Sequence, residues 1–239
     1  MNKILMYHSI GGKGTGEIGS ELYSIPVETF RKQMELVAKF NRDKKPEEQI
    51  IITFDDGLID NYTSASPILR EFGLKAYFFV IYGLVGTPGY MNWEQVVVLQ
   101  EYGMTIGSHG MTHKFLNDLN EEDLIYELGS SRKLMRDWLK DEIENFSVPR
   151  GFVSKKVLKI AKGVGYKKVF TSNYLDHDGY CFGRIAVKAG WSVAYFERVI
   201  KYGLPFQAKV AEAVKRFVKK VFGASVYDRA RSKIIKARS

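Results

Sequence analysis

Short apolar runs alternate along the chain with longer segments in which apolar residues recur every three or four positions. The short runs are rich in β-branched and aromatic residues and predict strands, whereas the longer segments predict amphipathic helices. The predicted strands span residues 3–7, 50–54, 76–81, 104–106, 146–148, 167–170 and 184–187. The predicted helices span residues 27–40, 60–72, 93–102, 121–138 and 154–164. This alternation is typical of parallel βαβ units, which either close into a barrel or form an open sheet.

The ends of the predicted helices carry residues that usually begin and end helices. Asn92 and Ser154 stand at expected N-cap positions, and Gly73, Gly103 and Gly165 each follow a helix. An N-cap side chain accepts a hydrogen bond from a free backbone N–H, and glycine adopts the left-handed conformation that ends many helices. These residues therefore support the helix boundaries that the apolar pattern predicts.

Composition narrows the class of protein. The chain has 239 residues, of which 45% are hydrophobic, enough for one sizeable core. Its single cysteine excludes an intramolecular disulfide and a cysteine-based metal cluster. No apolar run reaches the length of about 18 residues that predicts a membrane-spanning helix, and the apolar run at residues 4–6 is too short for a signal peptide. We therefore expect a cytoplasmic protein.

The net charge of +9 is concentrated near the C-terminus. Residues 209–239 contain ten basic and two acidic residues, whereas residues 1–208 have a net charge of only +1. A nearly neutral body without a known nucleic-acid motif argues against a nucleic-acid partner. Apolar residues recur at helical spacing from Val210 to Phe222, and more weakly after Gly223. Segment 209–239 therefore predicts basic amphipathic helices, which either cover the body of the protein or contact anionic lipid at the inner face of a membrane.

Two groups of candidate catalytic residues follow predicted strands. Asp55 and Asp56 precede Gly57, and His109 and His113 are separated by three residues. Adjacent carboxylates repel each other unless a cation or shared proton relieves them, so one could bind metal while the other acts as a base. Two imidazoles and a carboxylate leave a fourth position open, which is typical of catalytic zinc. The alternative, non-functional interpretations are an ordinary Asp-Gly turn after a strand and two solvated loop histidines.

These residues stand in segments that resemble a known family. TFDDG at 53–57 and SHGMTH at 108–113 resemble the first two motifs of the polysaccharide deacetylases, the NodB-homology group or carbohydrate esterase family 4. The resemblance spans roughly residues 3–190 and implies an α/β fold, a distorted (β/α) barrel of about seven parallel strands. We assign this barrel to residues 1–208. The resemblance also implies one divalent metal ion, usually zinc. By this resemblance Asp55 is the general base, and Asp56, His109 and His113 are the metal ligands.

The third motif of the family, Arg-x-Pro-aromatic-Gly, is only partly present in FSVPRG at 146–151. Ser147 replaces the arginine that would orient the catalytic aspartate. Arg150, after Pro149, replaces the aromatic residue whose backbone N–H would help to bind the oxyanion, a role that does not depend on the side chain. The guanidinium of Arg150 either compensates for the missing charge or is solvated.

The C-terminal histidine motif that carries the catalytic acid in the family is absent. His8 ends the first predicted strand, and a permuted subgroup resembling bacterial exopolysaccharide N-deacetylases has its acid histidine in such a Tyr-His segment. Because the strands of a barrel end around one rim, His8 could face Asp55. We therefore predict His8 as the general acid, with a buried structural histidine as the alternative. Tyr82, Tyr90 and Trp93 either form an aromatic wall for a sugar ring or are packing residues.

The sequence thus predicts a metal-dependent hydrolase that removes acetyl groups from N-acetylated amino sugars of a glycan or glycolipid precursor. The same chemistry would serve an O-acetyl carbohydrate esterase. A non-catalytic glycan-binding barrel is the alternative from another class, suggested by the altered third motif and the absent last one. Intact Asp55, Asp56, His109 and His113 argue against it, because a binding module needs neither a base nor three metal ligands.

Overall fold

The computed structural model describes residues 2–12, 14, 20–151 and 153–222. The strands are β1 (Ile4–Tyr7), β2 (Ser9–Ile10), β3 (Ser24–Ile25), β4 (Ile51–Phe54), β5 (Ala76–Val80), β6 (Thr105–Ser108), β7 (Asn145–Ser147), β8 (Lys168–Thr171), β9 (Cys181–Gly183) and β10 (Ile185–Ala186). The helices are α1 (Val27–Asn41), α2 (Ser66–Glu71), α3 (Trp93–Glu101), α4 (Glu121–Ile125), α5 (Ser131–Leu139), α6 (Lys155–Gly163), α7 (Val193–Tyr202) and α8 (Phe206–Phe222). Single π-helical turns precede α2 at Asn61–Ala65 and α5 at Tyr126–Ser130.

Eight of these strands belong to one parallel sheet, and the chain forms two compact units. The first unit comprises the chain up to Val80, Leu84–Ile106 and Arg184–Pro205. Its strands pair in the order β10-β1-β4-β5. The second unit comprises Ile81–Gly83, Gly107–Gly183 and the chain from Phe206, with strands paired in the order β6-β7-β8-β9. The short strands β2 and β3 pair only with each other.

The core of the first unit is an aromatic layer between its strands and α1. The rings of Tyr7 and Phe54 stack with centroids 5.5 Å apart, and Phe30 of α1 packs edge-on against both. Side chains alternate between the two faces of a strand, so Thr53 and Asp55 lie on the face opposite Phe54. The burial of the aromatic residues under α1 therefore sets the direction in which Asp55 points.

The core of the second unit is also aromatic. The ring of Phe146 in β7 lies 5.0 Å from that of Tyr166, and Phe170 stacks on Phe182 across the pair β8 and β9 at 5.6 Å. Helix α6 buries Val157 on its inner side. The packing of these strands places the residue after β6, His109, beside the end of β7, because Ser108 is paired with Phe146.

The capping residues are confirmed. Asn92 accepts a hydrogen bond from the backbone N–H of Gln95, whose side chain in turn accepts one from the N–H of Asn92. Ser154 accepts from the N–H of Val157 at the start of α6. The three glycines predicted to end helices, at positions 73, 103 and 165, all have positive φ angles. Local polar chemistry was therefore sufficient to place these helix ends.

Several elements differ from the prediction. The sheet has eight strands rather than seven, because Cys181–Gly183 forms β9 against β8. Helix α7 was not predicted, although Ser192 caps it and Phe196, Val199 and Ile200 recur on its buried side. Each of two predicted helices, 60–72 and 121–138, contains a π-helical turn. Periodicity alone identifies neither a three-residue strand nor a local change of helical pitch.

The start of the predicted basic segment at residue 209 lies inside α8, which begins at Phe206. The second apolar stripe, predicted after Gly223, lies outside the described residues. The division of the chain at 208 and 209 therefore stays a prediction. Among the described helices, none is long and apolar enough to cross a bilayer.

Candidate active site

Asp55 is held by an arginine that is distant in the sequence. Its two carboxylate oxygens accept hydrogen bonds of 2.7 Å each from the two terminal nitrogens of Arg184, and both side chains are almost completely buried. Arg184 also donates to the hydroxyl of Thr53 at 3.2 Å and lies over the ring of Phe79. A planar guanidinium that binds both oxygens fixes the orientation of a carboxylate as well as its charge.

The chain turns sharply directly after Asp55. Asp56 and Gly57 both have positive φ angles, 74° and 75°. A Cβ atom at position 57 would lie 3.2 Å from Val80, a tight contact, and the positive φ angle favours glycine there. Asp56 is not glycine, and its left-handed backbone is the less favourable of the two. Such strain is common where a side chain must point in one direction for chemistry.

The two histidines lie in the loop that follows β6. Nδ1 of His109 is 2.8 Å from the carbonyl oxygen of Ser147, and because a carbonyl can only accept, this nitrogen carries the proton. The other nitrogen, Nε2, is then the one with a lone pair for a metal. The ring of His113 lies 5.0 Å from that of His109. His109 is buried and His113 is half-buried.

A buried carboxylate holds this loop from below. Glu127, in the π-helical turn before α5, accepts hydrogen bonds from the backbone N–H groups of Met111 at 3.0 Å and Thr112 at 2.9 Å. It also accepts one from the hydroxyl of Thr112. These are the backbone groups between the two histidines. Glu127 therefore fixes the conformation in which His109 and His113 turn towards each other.

Three residues from the two groups come together. Asp56, His109 and His113 each offer one ligand atom, and these atoms lie within 4.8 Å of one another. Two imidazoles and one carboxylate suit zinc and other divalent ions of similar chemistry, and three protein ligands leave coordination positions open. The protonated Nδ1 of His109 agrees with this role, because it leaves Nε2 unprotonated. These residues therefore fit a divalent metal ion.

His8 directly follows β1, beside the end of β4. Tyr7 pairs with Phe54, and its carbonyl oxygen accepts a hydrogen bond from the N–H of Asp55. The main chain around His8 is held by a buried polar pair. Asn61 donates to the carbonyl oxygen of His8 at 2.6 Å. Asp60 accepts hydrogen bonds from the hydroxyl of Ser9 and the N–H of Ile10, and burial raises the pKa of this carboxyl group. His8 is half-buried, and its Nδ1 has no hydrogen-bond partner among the described residues.

Comparison with known proteins decides the family. Residues 42–169, more than half of the chain, match the family model of the polysaccharide deacetylases. The chain belongs to the polysaccharide deacetylase family. Its relatives include YxkH of Bacillus subtilis, which carries the family name and is 31% identical over 83% of this chain and 75% of that protein. Another is a peptidoglycan-N-acetylglucosamine deacetylase of Bacillus cereus, 32% identical over 62% of this chain and 68% of that protein.

The fold of this deacetylase family member is also that of solved deacetylases. PplD of Streptococcus pyogenes, solved in complex with acetate, superposes with a TM-score of 0.73 at 21% identity. The superposition covers 85% of this chain and 98% of that one. The predicted distorted (β/α) barrel and the predicted hydrolase class are therefore confirmed, with eight strands in the sheet.

The residues of the altered third motif lie in a turn after β7. Arg150 has a positive φ angle of 62°, and its guanidinium lies over the ring of Phe115 at 5.1 Å. Pro149 is buried, and its Cγ would lie 3.7 Å from a Cβ atom placed on Gly110. The guanidinium beside Asp55 belongs to Arg184. The oxyanion role of Arg150 stays a prediction.

The predicted aromatic wall is also untested. Tyr82 lies in a 3₁₀ turn after β5, and its N–H donates to the carbonyl oxygen of Gly110. Trp93 is the first residue of α3. The side chains of Tyr82, Tyr90 and Trp93 are all half-buried. Their predicted contact with a sugar ring stays a prediction.

Two residues of the site were missed in the sequence. Arg184 was assigned only to a predicted strand, and Glu127 only to a predicted helix. A signal existed for Glu127, because it is an acidic residue on the buried side of an amphipathic helix beside Leu124 and Leu128. No local signal identifies Arg184, whose partner is 129 residues away.

Proposed function

We propose that the protein is a metal-dependent N-deacetylase that hydrolyses the N-acetyl amide of amino sugars in a glycan or glycolipid precursor. The proposal rests on the three potential metal ligands Asp56, His109 and His113. Asp56 directly follows Asp55, whose carboxylate is bound by Arg184. A catalytic carboxylate next to a three-ligand site is what hydrolysis by activated water requires. A module that only binds glycans has no need for this arrangement.

Asp56, His109 and His113 would hold one divalent ion. Imidazole and carboxylate ligands in this number favour zinc. When bound, such an ion supplies Lewis-acid activation of water and of the acetyl carbonyl. Glu127 and the carbonyl oxygen of Ser147 keep the imidazoles in the required orientation.

Asp55 is the proposed general base. Arg184 keeps its carboxylate ionised and oriented in a buried position, where an unpaired carboxylate would favour its protonated form. Asp55 accepts the proton of the attacking water as the C–O bond forms.

His8 is the proposed general acid, which protonates the amine nitrogen as the C–N bond breaks. Its position after β1, next to the end of β4, and its Nδ1 without a hydrogen-bond partner among the described residues support this role. The backbone N–H of Arg150, after Pro149, is proposed to help stabilise the oxyanion. Tyr82 and Trp93 are proposed to contact the sugar.

The relatives support an amide rather than an ester substrate. The names of matched proteins include a peptidoglycan-N-acetylglucosamine deacetylase and a chitooligosaccharide deacetylase, both named for N-acetylated sugars. The same water and base would also hydrolyse an O-acetyl ester. We therefore retain the O-acetyl carbohydrate esterase as the second candidate function.

Metal analysis combined with acetate release tests the proposal. The protein is stripped with chelator and reloaded with Zn²⁺, and acetate is measured on N-acetylated and O-acetylated oligosaccharides. We expect about one metal ion per chain, acetate release from N-acetylated sugars only after reloading, and loss of both metal and activity in His109→Ala. Bound metal with release only from esters would favour the esterase, and bound metal without acetate release would favour the glycan-binding barrel.

The same assay tests the role of His8. We expect His8→Ala to lose about 100-fold or more in kcat, the usual contribution of a general acid, while the metal content stays unchanged. A His8→Ala variant that loses the metal would make His8 a ligand or a structural residue. Retained activity would exclude it as the acid.

A further inference from the structure

The outer side of α8 is an exposed apolar stripe. Phe206, Val210, Val214 and Phe217 are spaced by four, four and three residues, so they lie on one face of the helix. Phe206 is 81% exposed, Phe217 66% and Val214 56%. We call these four residues the α8 stripe. An exposed contiguous apolar patch of this kind usually marks an interaction surface.

Among the residues of α8 whose side chains are described, those facing away from the α8 stripe are less exposed. Ala208 and Glu212 are half-buried and lie nearly opposite the centre of the α8 stripe at 100° per residue, and Lys209, also half-buried, lies to one side of it. An ordinary surface helix buries its apolar side and exposes its polar side. The exposure of the four residues of the α8 stripe does not fit the interpretation in which the apolar side of the segment covers the body of the protein, because α8 presents these residues outwards.

The charge of the segment indicates the partner. Residues 209–239 have a net charge of +8, against +1 for the rest of the chain. Two copies of the chain that met through α8 would bring two such segments together, which opposes self-association. A nucleic acid would satisfy the charge but not the two exposed phenylalanines. An anionic bilayer satisfies both, because its headgroups attract lysine and arginine while its interface accepts phenylalanine and valine.

We propose that α8 is a membrane-surface element that docks the protein on a bilayer rich in anionic lipid. The α8 stripe inserts at the boundary of headgroups and acyl chains, and the net charge of +8 on residues 209–239 attracts the chain to the anionic headgroups. The proposal does not depend on the proposed catalytic activity. It concerns where the protein acts.

Vesicle flotation of the full chain tests the proposal. The vesicles consist of phosphatidylcholine alone or of phosphatidylcholine with phosphatidylglycerol at a ratio of about 7:3, which supplies the anionic headgroups that attract basic helices. We expect binding to the anionic vesicles, weak binding to the neutral ones, and a fall in anionic binding in high salt. The double variant Phe206→Ser with Phe217→Ser should lose at least about ten-fold in partition.

A matched control has the same kind of change on another exposed surface. Ile125 and Trp138 are about half exposed, on α4 and α5. Ile125→Ser with Trp138→Ser should bind the anionic vesicles like the unmodified protein. Equal loss in both double variants, or no loss in the α8 variant, would overturn the proposal.

The oligomeric state distinguishes the other possibilities for what covers the α8 stripe. If a second copy covers the α8 stripe, light scattering will show a dimer that the α8 variant converts to monomer, without anionic vesicle binding. If residues 223–239 cover the stripe within one chain, the unmodified protein will be a monomer that does not float with vesicles. Either result would overturn the membrane proposal.

Discussion

The Asp55 turn and the His109 loop both follow strands of one parallel sheet, but they are held in different ways. Asp55 depends on the guanidinium of Arg184, 129 residues away, through a buried ion pair. The loop of His109 depends on Glu127, which is close in sequence and accepts from backbone N–H groups. Arg184 reaches Asp55 only through the tertiary fold. Glu127, by contrast, lies in the helical segment that follows the loop it binds.

This difference has an energetic consequence. A buried ion pair costs desolvation of two charges, so the loss of one partner leaves an unpaired charge in a medium of low polarity. A carboxylate that binds backbone N–H groups fixes the shape of a loop, and its loss mainly loosens that shape. We therefore expect the loss of Arg184 to reduce kcat strongly, and the loss of the Glu127 carboxylate to weaken metal binding.

The largest expected effect is that of Arg184→Met. Methionine removes the charge and leaves Asp55 buried without its partner, so the ionised carboxylate becomes costly and its capacity to act as a base falls. We expect a loss of about 100-fold or more in kcat and about 3–5 kcal/mol in the free energy of unfolding. Acetate release and urea unfolding measure the two quantities.

Two further variants separate charge from packing at this pair. Asp55→Asn combined with Arg184→Met should recover part of the lost stability but none of the activity, because no unpaired charge remains. Arg184→Lys should keep part of the activity, since its charge is retained without the bidentate geometry. An active Arg184→Met variant would show that the pair does not support the reaction.

The next effect is that of Glu127→Gln. The amide oxygen can replace Oε2, which accepts from both backbone N–H groups, but the NH2 group then stands where Oε1 accepts from the Thr112 hydroxyl. The loss of the negative charge also weakens these hydrogen bonds and so loosens the loop between the histidines. We expect the affinity for Zn²⁺ to fall about 10- to 100-fold, as for other groups that orient metal ligands. Competition with a chelator measures the affinity. Glu122→Gln removes the same charge from an exposed position of α4 and should leave the affinity unchanged.

How much of this could be predicted from the sequence depends on the range of each interaction. The alternation of strands and helices, the caps at Asn92 and Ser154, and the grouping of Asp56 with the two histidines follow from local patterns. The pairing of Arg184 with Asp55 could not be predicted, because nothing near Arg184 indicates a carboxylate across the sheet. The sequence shows that Ser147 stands in place of the arginine of the family motif. That the guanidinium of Arg184 lies beside Asp55 instead is visible only in the folded structure.

A smaller effect concerns pH and Asp60, which binds the main chain that follows His8. Burial raises the pKa of Asp60, so the folded state holds this proton more tightly than the unfolded state does. The contribution of Asp60 to stability is therefore greatest below its unfolded pKa of about 3.9 and declines as the pH rises through the folded value. The free energy of unfolding of the unmodified protein, relative to Asp60→Asn, should fall with rising pH in this range.

Asp178 provides a control of opposite sign. The backbone N–H of Cys181 donates to its carboxylate and lowers its pKa. Relative to Asp178→Asn, the unmodified protein should gain stability as the pH rises through the folded pKa towards the unfolded one, and keep that gain above it. Urea unfolding at several pH values measures both differences. Two slopes of the same sign would contradict the assigned burial of Asp60.

The smallest effect is expected for Ser147→Ala. Nδ1 of His109 donates its hydrogen bond to the main-chain carbonyl oxygen of Ser147, which alanine also has. We expect the Zn²⁺ affinity to change by less than about two-fold, which is below 0.5 kcal/mol on the scale of about 1.4 kcal/mol per ten-fold. Chelator competition measures it beside Glu127→Gln. A large loss would mean that the serine hydroxyl, rather than the carbonyl, orients the loop.

The left-handed backbone of the proposed ligands has a consequence for how this site can change over evolutionary time. Among the described residues only four other than glycine have positive φ, and Asp56 and His113 are two of them. Each such residue costs about 1 kcal/mol or more relative to glycine. A glycine at either position would relax the main chain and remove a ligand at once. Substitutions that stabilise the metal-free chain would therefore tend to remove these proposed ligands, so we expect their persistence to depend on selection for metal binding.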